Sequence, residues 1–345
     1  MKKTTIKDVA SHAGVSAAAV SYVLNGKAHK VSEDTIQKIH DSVKALNYIP
    51  NISARGLAKN TSELVSIIIP QTESRKQLML ENPFYAEIIS AIEAVVRDYG
   101  YHAILAGVDE GVSYLDISVS RNLDGAIIMG VYPERLYEEC KKVNIPIVLI
   151  DSYIHDETFA NVGIDDEHGG YLATSHLIAK GHRNIALVTG TIRRDGVVEK
   201  RFLGYKRALQ ENGLFYHPDY VFEDSVSYEH GRVTGRLIAE RHPDITAVFA
   251  TADMVAFGLI RGIHEAGKRV PDDLSVIGFD DISMAHMFLP PLTTVKQQIS
   301  YKGETAARLL MEQIVGERPR RGAEVPRILI PLELVERDTV RLLNG

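Results

Sequence analysis

The sequence predicts an α/β protein in three parts. A three-helix helix-turn-helix unit spans residues 1–49, a short helical segment spans 50–61, and a two-lobed core of doubly wound parallel sheets spans 62–345. Three observations carry this prediction. The first sixty residues show helical periodicity alone and hold nine Lys and Arg against four acids. The remainder holds thirty against forty-one, so a +5 segment heads a body of −11. From residue 62, short apolar β-branched runs alternate with amphipathic helical patterns, as in parallel sheets covered on both faces. The roughly 280 residues involved exceed one comfortable core, so two lobes are expected.

Composition narrows the class. Hydrophobic residues at 45% and charged residues at 24% are ordinary for a globular chain and argue against long disorder. No run reaches the roughly eighteen apolar residues of a membrane span. Met1-Lys-Lys-Thr-Thr leads into a polar amphipathic stretch rather than a secretory signal. A single cysteine, Cys140, excludes an intrachain disulfide framework and a cysteine zinc cage. A cytoplasmic protein with no membrane association is expected.

Thr5-Ile6-Lys7-Asp8 has the spacing of a capping box and opens the first helix, in which Ile6, Val9, Ala10 and Ala13 share a face. Gly14 is placed to end it in the left-handed conformation, with Val15 as the buried turn residue. Ser16 then caps a second helix running to about Asn25. That helix turns Ala19, Val20, Val23 and Leu24 inward and leaves Ala17, Ala18, Ser21, Tyr22 and Asn25 opposite. A third helix, opened by Ser32, repeats Ile36, Ile39, Val43 and Leu46. The first two helices and their tight turn make a helix-turn-helix, whose second helix enters the DNA major groove. The small uncharged face allows close approach, and the basic balance suits a polyanion. A bundle serving only as a protein contact would leave both features unexplained.

Thr5-Ile-Lys-Asp-Val-Ala-Ser-His-Ala-Gly-Val-Ser16, Val20-Ser-Tyr-Val-Leu-Asn25 and Leu46-Asn-Tyr-Ile-Pro-Asn51 resemble the lactose-repressor/galactose-repressor (LacI/GalR) family of bacterial transcription regulators. The resemblance continues to the end of the chain. It implies that Ser16, Ala17, Ala18, Ser21, Tyr22 and Asn25 lie at operator-reading positions. Thr5 and Lys7 join the DNA contacts, Lys7 beside a phosphate. Tyr22 stands where the family often has an arginine reading guanine, and Ala19 where it usually has threonine. An operator half-site unlike the family's common one is therefore expected.

Pro50 opens Asn51-Ile-Ser-Ala-Arg-Gly-Leu-Ala-Lys59, a helical pattern shorter than the roughly 12–15 residues an isolated helix needs, and Gly56 weakens it further. On its residues alone it reads as a linker. The resemblance implies a hinge helix that forms on the operator and pairs with its dimer mate. It puts Asn51, Ala54 and Leu57 on DNA, with Leu57 pried between base pairs in the minor groove, as apolar wedges are.

In the body, strands are predicted at Leu64–Ile69, His102–Leu105, Ala126–Met129, Ile147–Ile150, Ile185–Val188, Ala247–Ala250 and Leu274–Phe279. Amphipathic helices lie between them, such as Phe84, Ile88, Ile92, Val95, Tyr99 and Ala256, Leu259, Ile263, Ala266. The resemblance implies two similar lobes like those of periplasmic sugar-binding proteins, with crossings near residues 162, 293 and 325. Lobe 1 is then about 62–162 plus 293–325, and lobe 2 about 163–292 plus 326–345. Gln71–Glu81 looks like extra residues before Asn82.

Ligands collect at the carboxyl ends of strands in open parallel sheets. Polar residues stand at those ends: Asp151, Thr189-Gly190, Thr251 with Asp253, and Asp280-Asp281. Carboxylates and an arginine converging there suit a ligand with several hydroxyls, because ionised partners strengthen each hydrogen bond. Phe84 and Tyr85, in Asn82-Pro-Phe-Tyr, supply an apolar wall. An acid at a strand end is also a common helix N-cap, and Asp253 is read that way. Arg201, in Arg-Phe-Leu-Gly-Tyr205, stands at the family's effector-contacting arginine, and it is mainly the resemblance that makes Arg201, Asp280 and Asp151 effector candidates. A sugar or sugar derivative is the expected effector.

Other chemical signals fail. Gly262-Ile-His-Glu-Ala-Gly-Lys-Arg269 nearly matches a phosphate-binding loop, but Arg269 replaces the magnesium-binding Ser or Thr and Gly267 reads as a helix C-cap. Asp165-Asp-Glu-His168 could pass for a metal cluster, yet acids at a helix start complement its dipole. No dinucleotide fingerprint and no supported catalytic triad are present, so neither catalysis, metal nor cofactor is expected. The chain reads as a homodimeric, ligand-responsive repressor of a near-palindromic DNA operator. A solute-binding protein without catalysis shares the lobes but lacks a DNA headpiece and carries a secretion signal.

Overall fold

A computed structural model describes residues 4–49, 61–71, 79–109, 122–130, 138, 140–153, 158–316 and 325–343. The chain divides into two units, Met1–Glu63 and Leu64–Gly345.

In the first unit, α1 (Ile6–Ala13) starts at a complete capping box. Thr5 Oγ1 accepts from the Asp8 N–H, and Asp8 accepts from the Thr5 N–H at 2.8 Å. Gly14 at φ 66° turns the chain, a conformation cheap only without a Cβ. Ser16 accepts from the Ala19 N–H at 3.1 Å and opens α2 (Ala17–Leu24). With α3 (Glu33–Ala45), these helices enclose Val9, Ala10, Val20, Val23 and Ile39. The predicted hinge segment, with Asn51, Ala54 and Leu57, lies outside the described residues, as do residues 72–78 of the predicted insertion.

The second unit holds two parallel-dominated sheets. Strands β1 (Leu64–Gln71), β2 (His102–Asp109), β3 (Gly125–Met129), β4 (Ile147–Ile150) and β5 (Ala160–Gly163) build the first. Strands β6 (Ile185–Gly190), β7 (Val221–Asp224), β8 (Ala247–Ala250), β9 (Ser275–Asp280) and β10 (Thr294–Lys296) build the second. Two last strands go one to each: β11 (Arg327–Leu329) pairs parallel with β5, and β12 (Glu333–Val335) antiparallel with β10. The orders are β11-β5-β4-β3-β1-β2 and β12-β10-β9-β8-β6-β7. Short edge strands such as Val221-Phe-Glu-Asp escaped the sequence pattern because they are brief and half polar.

The chain therefore passes between sheets after β5, after β10 and after β11. The expected crossing at 293 shifts beyond Lys296, because β10 continues the second sheet beside β9. The one at 325 shifts beyond Leu329, because β11 still belongs to the first sheet.

Helix α4 (Pro83–Asp98) packs on the first lobe. In the second, α5 (Asp166–Ala179) pairs with α6 (Val197–Glu211), and α7 (Tyr228–Arg241) pairs with α8 (Asp253–Glu265). A one-turn α9 (Met284–Met287) follows β9, and α10 (Ile299–Val315) returns to pack on α4. Glycines let the paired helices touch backbone to backbone. A Cβ on Gly258 would stand 2.0 Å from the Tyr228 carbonyl oxygen, and one on Gly231 2.1 Å from that of Val255. Gly170 gives the Arg201 backbone the same close approach, 2.1 Å from a Cβ to its carbonyl oxygen, and so seats α6 against α5.

Candidate functional site

On the first unit, Thr5, Lys7, Ser16, Ala18 and Tyr22 are exposed. Lys30 Nζ sits over the Tyr22 ring, 5.2 Å from its centroid, adding positive charge to the aromatic face. The other positions of the predicted reading face are half-buried. Ala17 is half-buried against the helical core, and Asn25 is the C-cap of α2, its amide donating to Ser21 Oγ at 3.1 Å. Ser21 and Asn25 are thus joined to each other.

In the second unit the strand-end candidates come together at the base of a cleft between the two sheets. Asp151 follows β4 with φ 51°, and Asp280 ends β9 with φ 123°. These are conformations that L-residues hold only when surroundings enforce them. Arg201 projects from α6. Its Nε donates to Asp166 Oδ1 at 2.8 Å and a terminal nitrogen donates to the Thr251 carbonyl at 2.7 Å. Asp280 Oδ1 lies 3.7 Å from the same guanidinium, whose carbon stands 3.7 Å from the Phe279 ring centroid. Asp166, at the start of α5, also accepts from the Tyr153 hydroxyl at 2.7 Å, while its own N–H donates back to that hydroxyl at 3.1 Å.

Lys302 completes the network. It donates to both Asp151 oxygens at 2.8 Å and to Gln297 Oε1, and the Gln297 amide donates to Asp280. A polar chain thus runs from Asp151 through Lys302, Gln297, Asp280, Arg201 and Asp166 to Tyr153. Its members come from both sheets and from the crossing after β10. Phe84 borders it, with Lys302 Nζ 5.7 Å from its ring centroid; Tyr85 meets Phe84 edge-on at 5.3 Å.

Burial sets the electrostatics. It raises the Asp166 carboxyl, with Arg201 pulling back, and it raises Asp280 to about 6 against the opposing pull of Arg201 and Gln297. Burial works against the Arg201 charge, but Asp166 and Asp280 more than offset it and hold the group firmly protonated. Burial and the Asp166 charge push the Tyr153 hydroxyl up, so it remains a donor.

Asp253 corrects its sequence reading. It is the first residue of α8, not its cap, and its buried carboxylate accepts from the Ile282 N–H at 2.9 Å and the Thr294 hydroxyl at 2.6 Å. It ties the loop after β9 to β10. Asp165 does cap its helix, accepting from the His168 N–H at 2.9 Å, and Gly267 ends the α8 region at φ 76° as a C-terminal turn.

Tyr153, Gln297 and Lys302 escaped the sequence reading, and Asp166 entered it only as an acid at a helix start. For Lys302 a signal existed: Ile299, Lys302, Gly303, Ala306, Ala307, Leu310 and Met311 form the buried face of α10, and one of them is charged. Among the described residues no cluster of three or more His, Cys, Asp or Glu is arranged to hold a metal. Nor is any helix long and apolar enough to cross a membrane.

A helix-turn-helix on one unit and a two-lobed polar cleft on the other define a regulator that reads DNA and senses a small molecule. Comparison with known proteins agrees. The family model for bacterial regulatory proteins of the lacI family matches residues 5–51, and that for the periplasmic binding protein-like domain matches 174–340. The chain is 35% identical to the ribose operon repressor of Halalkalibacterium halodurans over 98% of its own length and 97% of the relative's. It is similar to the lac repressor dimer bound to operator and the anti-inducer ONPF, at 28% identity and a TM-score of 0.80 over 99% of this chain and 100% of that one. It is also similar to a LacI family regulator from Enterococcus faecium with bound ribose, at 30% identity and a TM-score of 0.70 over 81% and 100%. The chain belongs to the LacI family of bacterial regulatory proteins and is a DNA-binding transcription regulator.

Proposed function

We propose that the chain is a cytoplasmic repressor without catalytic activity, which binds a near-palindromic operator as a homodimer. A small polar effector, a sugar or sugar derivative, sets its grip on DNA from the cleft. The observation that carries this reading is the hydrogen-bonded chain from Asp151 to Tyr153, placed beside the strand crossings. A ligand competing for Asp151, Arg201 or Asp280, with Phe84 and Tyr85 as its apolar wall, would bind one arrangement of the lobes better than another and shift the population. The two structural relatives support it: one holds ribose, and the other is bound to operator. A solute-binding protein would use the same lobes, and the helix-turn-helix speaks against it.

In this reading Thr5, Lys7, Ser16, Ala17, Ala18, Ser21, Tyr22 and Asn25 meet the operator. Residues 51–59, with Asn51, Ala54 and Leu57, order on DNA, because so short a segment needs a partner to be helical. The effector acts by changing the spacing of the two hinges. The test is selection of an operator from random DNA, followed by anisotropy titrations with and without sugars. Asp280→Asn and Arg201→Ala should bind the operator like the parent but ignore the effector. Leu57→Ala should lose specific binding while keeping the electrostatic, non-specific part. An effector response that survives in both cleft variants would defeat the assignment.

A further inference from the structure

Lys30 lies outside α2, yet the fold carries it back onto that helix. Gly26, at φ 73°, turns the chain after Asn25, and the Lys27 N–H then donates to the Tyr22 carbonyl at 2.8 Å. Ala28–Lys30 forms a single 3-10 turn, in which the Lys30 N–H donates to the Lys27 carbonyl at 3.1 Å. Val31, the next residue, packs against the headpiece core. The backbone on both sides of Lys30 is thereby tied down, one end of it to Tyr22 itself.

The side chain follows from that placement. Lys30 Nζ stands over the Tyr22 ring, whose negative face attracts a cation. Among the described residues no carboxylate draws it away, and Asp34, four positions on, is taken by Lys38 at 2.8 Å. Both Lys30 and Tyr22 are exposed, so the pair is presented on the surface of the headpiece.

Resting on the reading of Tyr22 as an operator contact, we propose that Lys30 is a positioning residue for base recognition. Its ammonium holds the Tyr22 ring in one orientation and so sharpens the choice of base at one half-site position. An exposed tyrosine has several staggered rotamers, and a given base edge is met from only one of them. Ordering the ring beforehand removes a cost that binding would otherwise carry. The ammonium has three N–H groups, and those turned away from the ring remain for a phosphate oxygen. One side chain then fixes the base reader relative to the DNA backbone.

Selection from random duplex DNA with the full-length protein, followed by anisotropy titrations on the selected site and its single-base variants, tests this. Tyr22→Ala should relax the preference at one position of each half-site by about tenfold. Lys30→Ala and Lys30→Met should relax that same position by about threefold or more. Lys30→Arg, whose guanidinium also stacks on aromatic faces, should keep it. Lys27→Ala, an exposed lysine beside the same turn, should lower affinity alike for all sequences. In the Tyr22→Ala background, Lys30→Ala should leave the remaining preference unchanged, because it acts through the ring. Full preference in Lys30→Ala or Lys30→Met, or an equal effect of Lys30→Ala with and without Tyr22, overturns the proposal while leaving Tyr22 as a reader. A motif that Tyr22→Ala leaves unchanged removes Tyr22 as a reader, and the inference with it.

Discussion

The contact between α7 and α8 and the floor of the cleft are both interior, but they are built on opposite rules. Between the helices, Gly231, Gly235, Gly258 and Gly262 bring backbone against backbone, with no side chain at the contact points and no room for one. At the cleft floor, ionised groups hold one another on backbone of positive φ at Asp151, Asp280 and Asp281, each such residue costing on the order of 1–3 kcal/mol. One region has a single close-packed solution. The other is held in place by pairwise polar bonds between side chains, the bonds that the proposed effector would exchange.

Four outcomes would break or sharpen that contrast. The largest effect is expected from Gly258→Ala, whose methyl would press on the Tyr228 carbonyl; about 4–5 kcal/mol of stability should be lost, the far end of single-substitution costs. Urea unfolding measures it. A loss below about 1 kcal/mol would mean the helices part freely.

Next, Arg201→Leu should cost about 3–4 kcal/mol, because Asp166 stays buried without its cation. Asp280→Asn should stay within about 1 kcal/mol of the parent, since burial already disfavours the Asp280 charge and the amide keeps the shape. If the two variants lose stability equally in the same unfolding assay, the floor is an ordinary balanced ion cluster.

The smallest effect is a pH dependence with two opposing parts. Burial lowers His182 to about 4, so the unfolded chain binds the proton first, and the stability this residue contributes is lost as pH falls from 6.5 towards 4. Burial lowers His176 as well, and its Nε2 is buried without a partner among the described residues, which adds in the same direction. Asp280, raised to about 6, works the other way. The folded chain keeps that proton, so its contribution is complete below about pH 4 and fades as pH rises through 6. Melting curves across this window should steepen in their acid loss for Asp280→Asn and flatten for His182→Gln. Parallel shifts in both would place neither group in its assigned surroundings.

Local chemistry made the headpiece legible. The Thr5 capping box, the Gly14 turn and the Ser16 cap are each settled within three or four residues, and all three stand in the structure as read. The long apolar runs from Leu64 to Phe279 announced their strands for the same reason. Three-residue strands such as Arg327–Leu329 did not, because their pairing rather than their composition makes them strands. At the cleft, the place after a strand marked Asp151 and Asp280 as polar tips, and family resemblance singled them out together with Arg201.

The sequence by itself determined the fold class, the headpiece's helix starts and the polar tips of the strands, since these follow from periodicity and near-neighbour hydrogen bonds. Tertiary structure alone decided that Lys302 meets Asp151, that Gln297 joins Lys302 to Asp280, and that Arg201 and Tyr153 share Asp166. It also moved Asp253 from cap to tie. A buried charge takes whichever opposite charge or hydrogen bond the packed lobes bring within reach, and no local pattern encodes a partner 151 positions away.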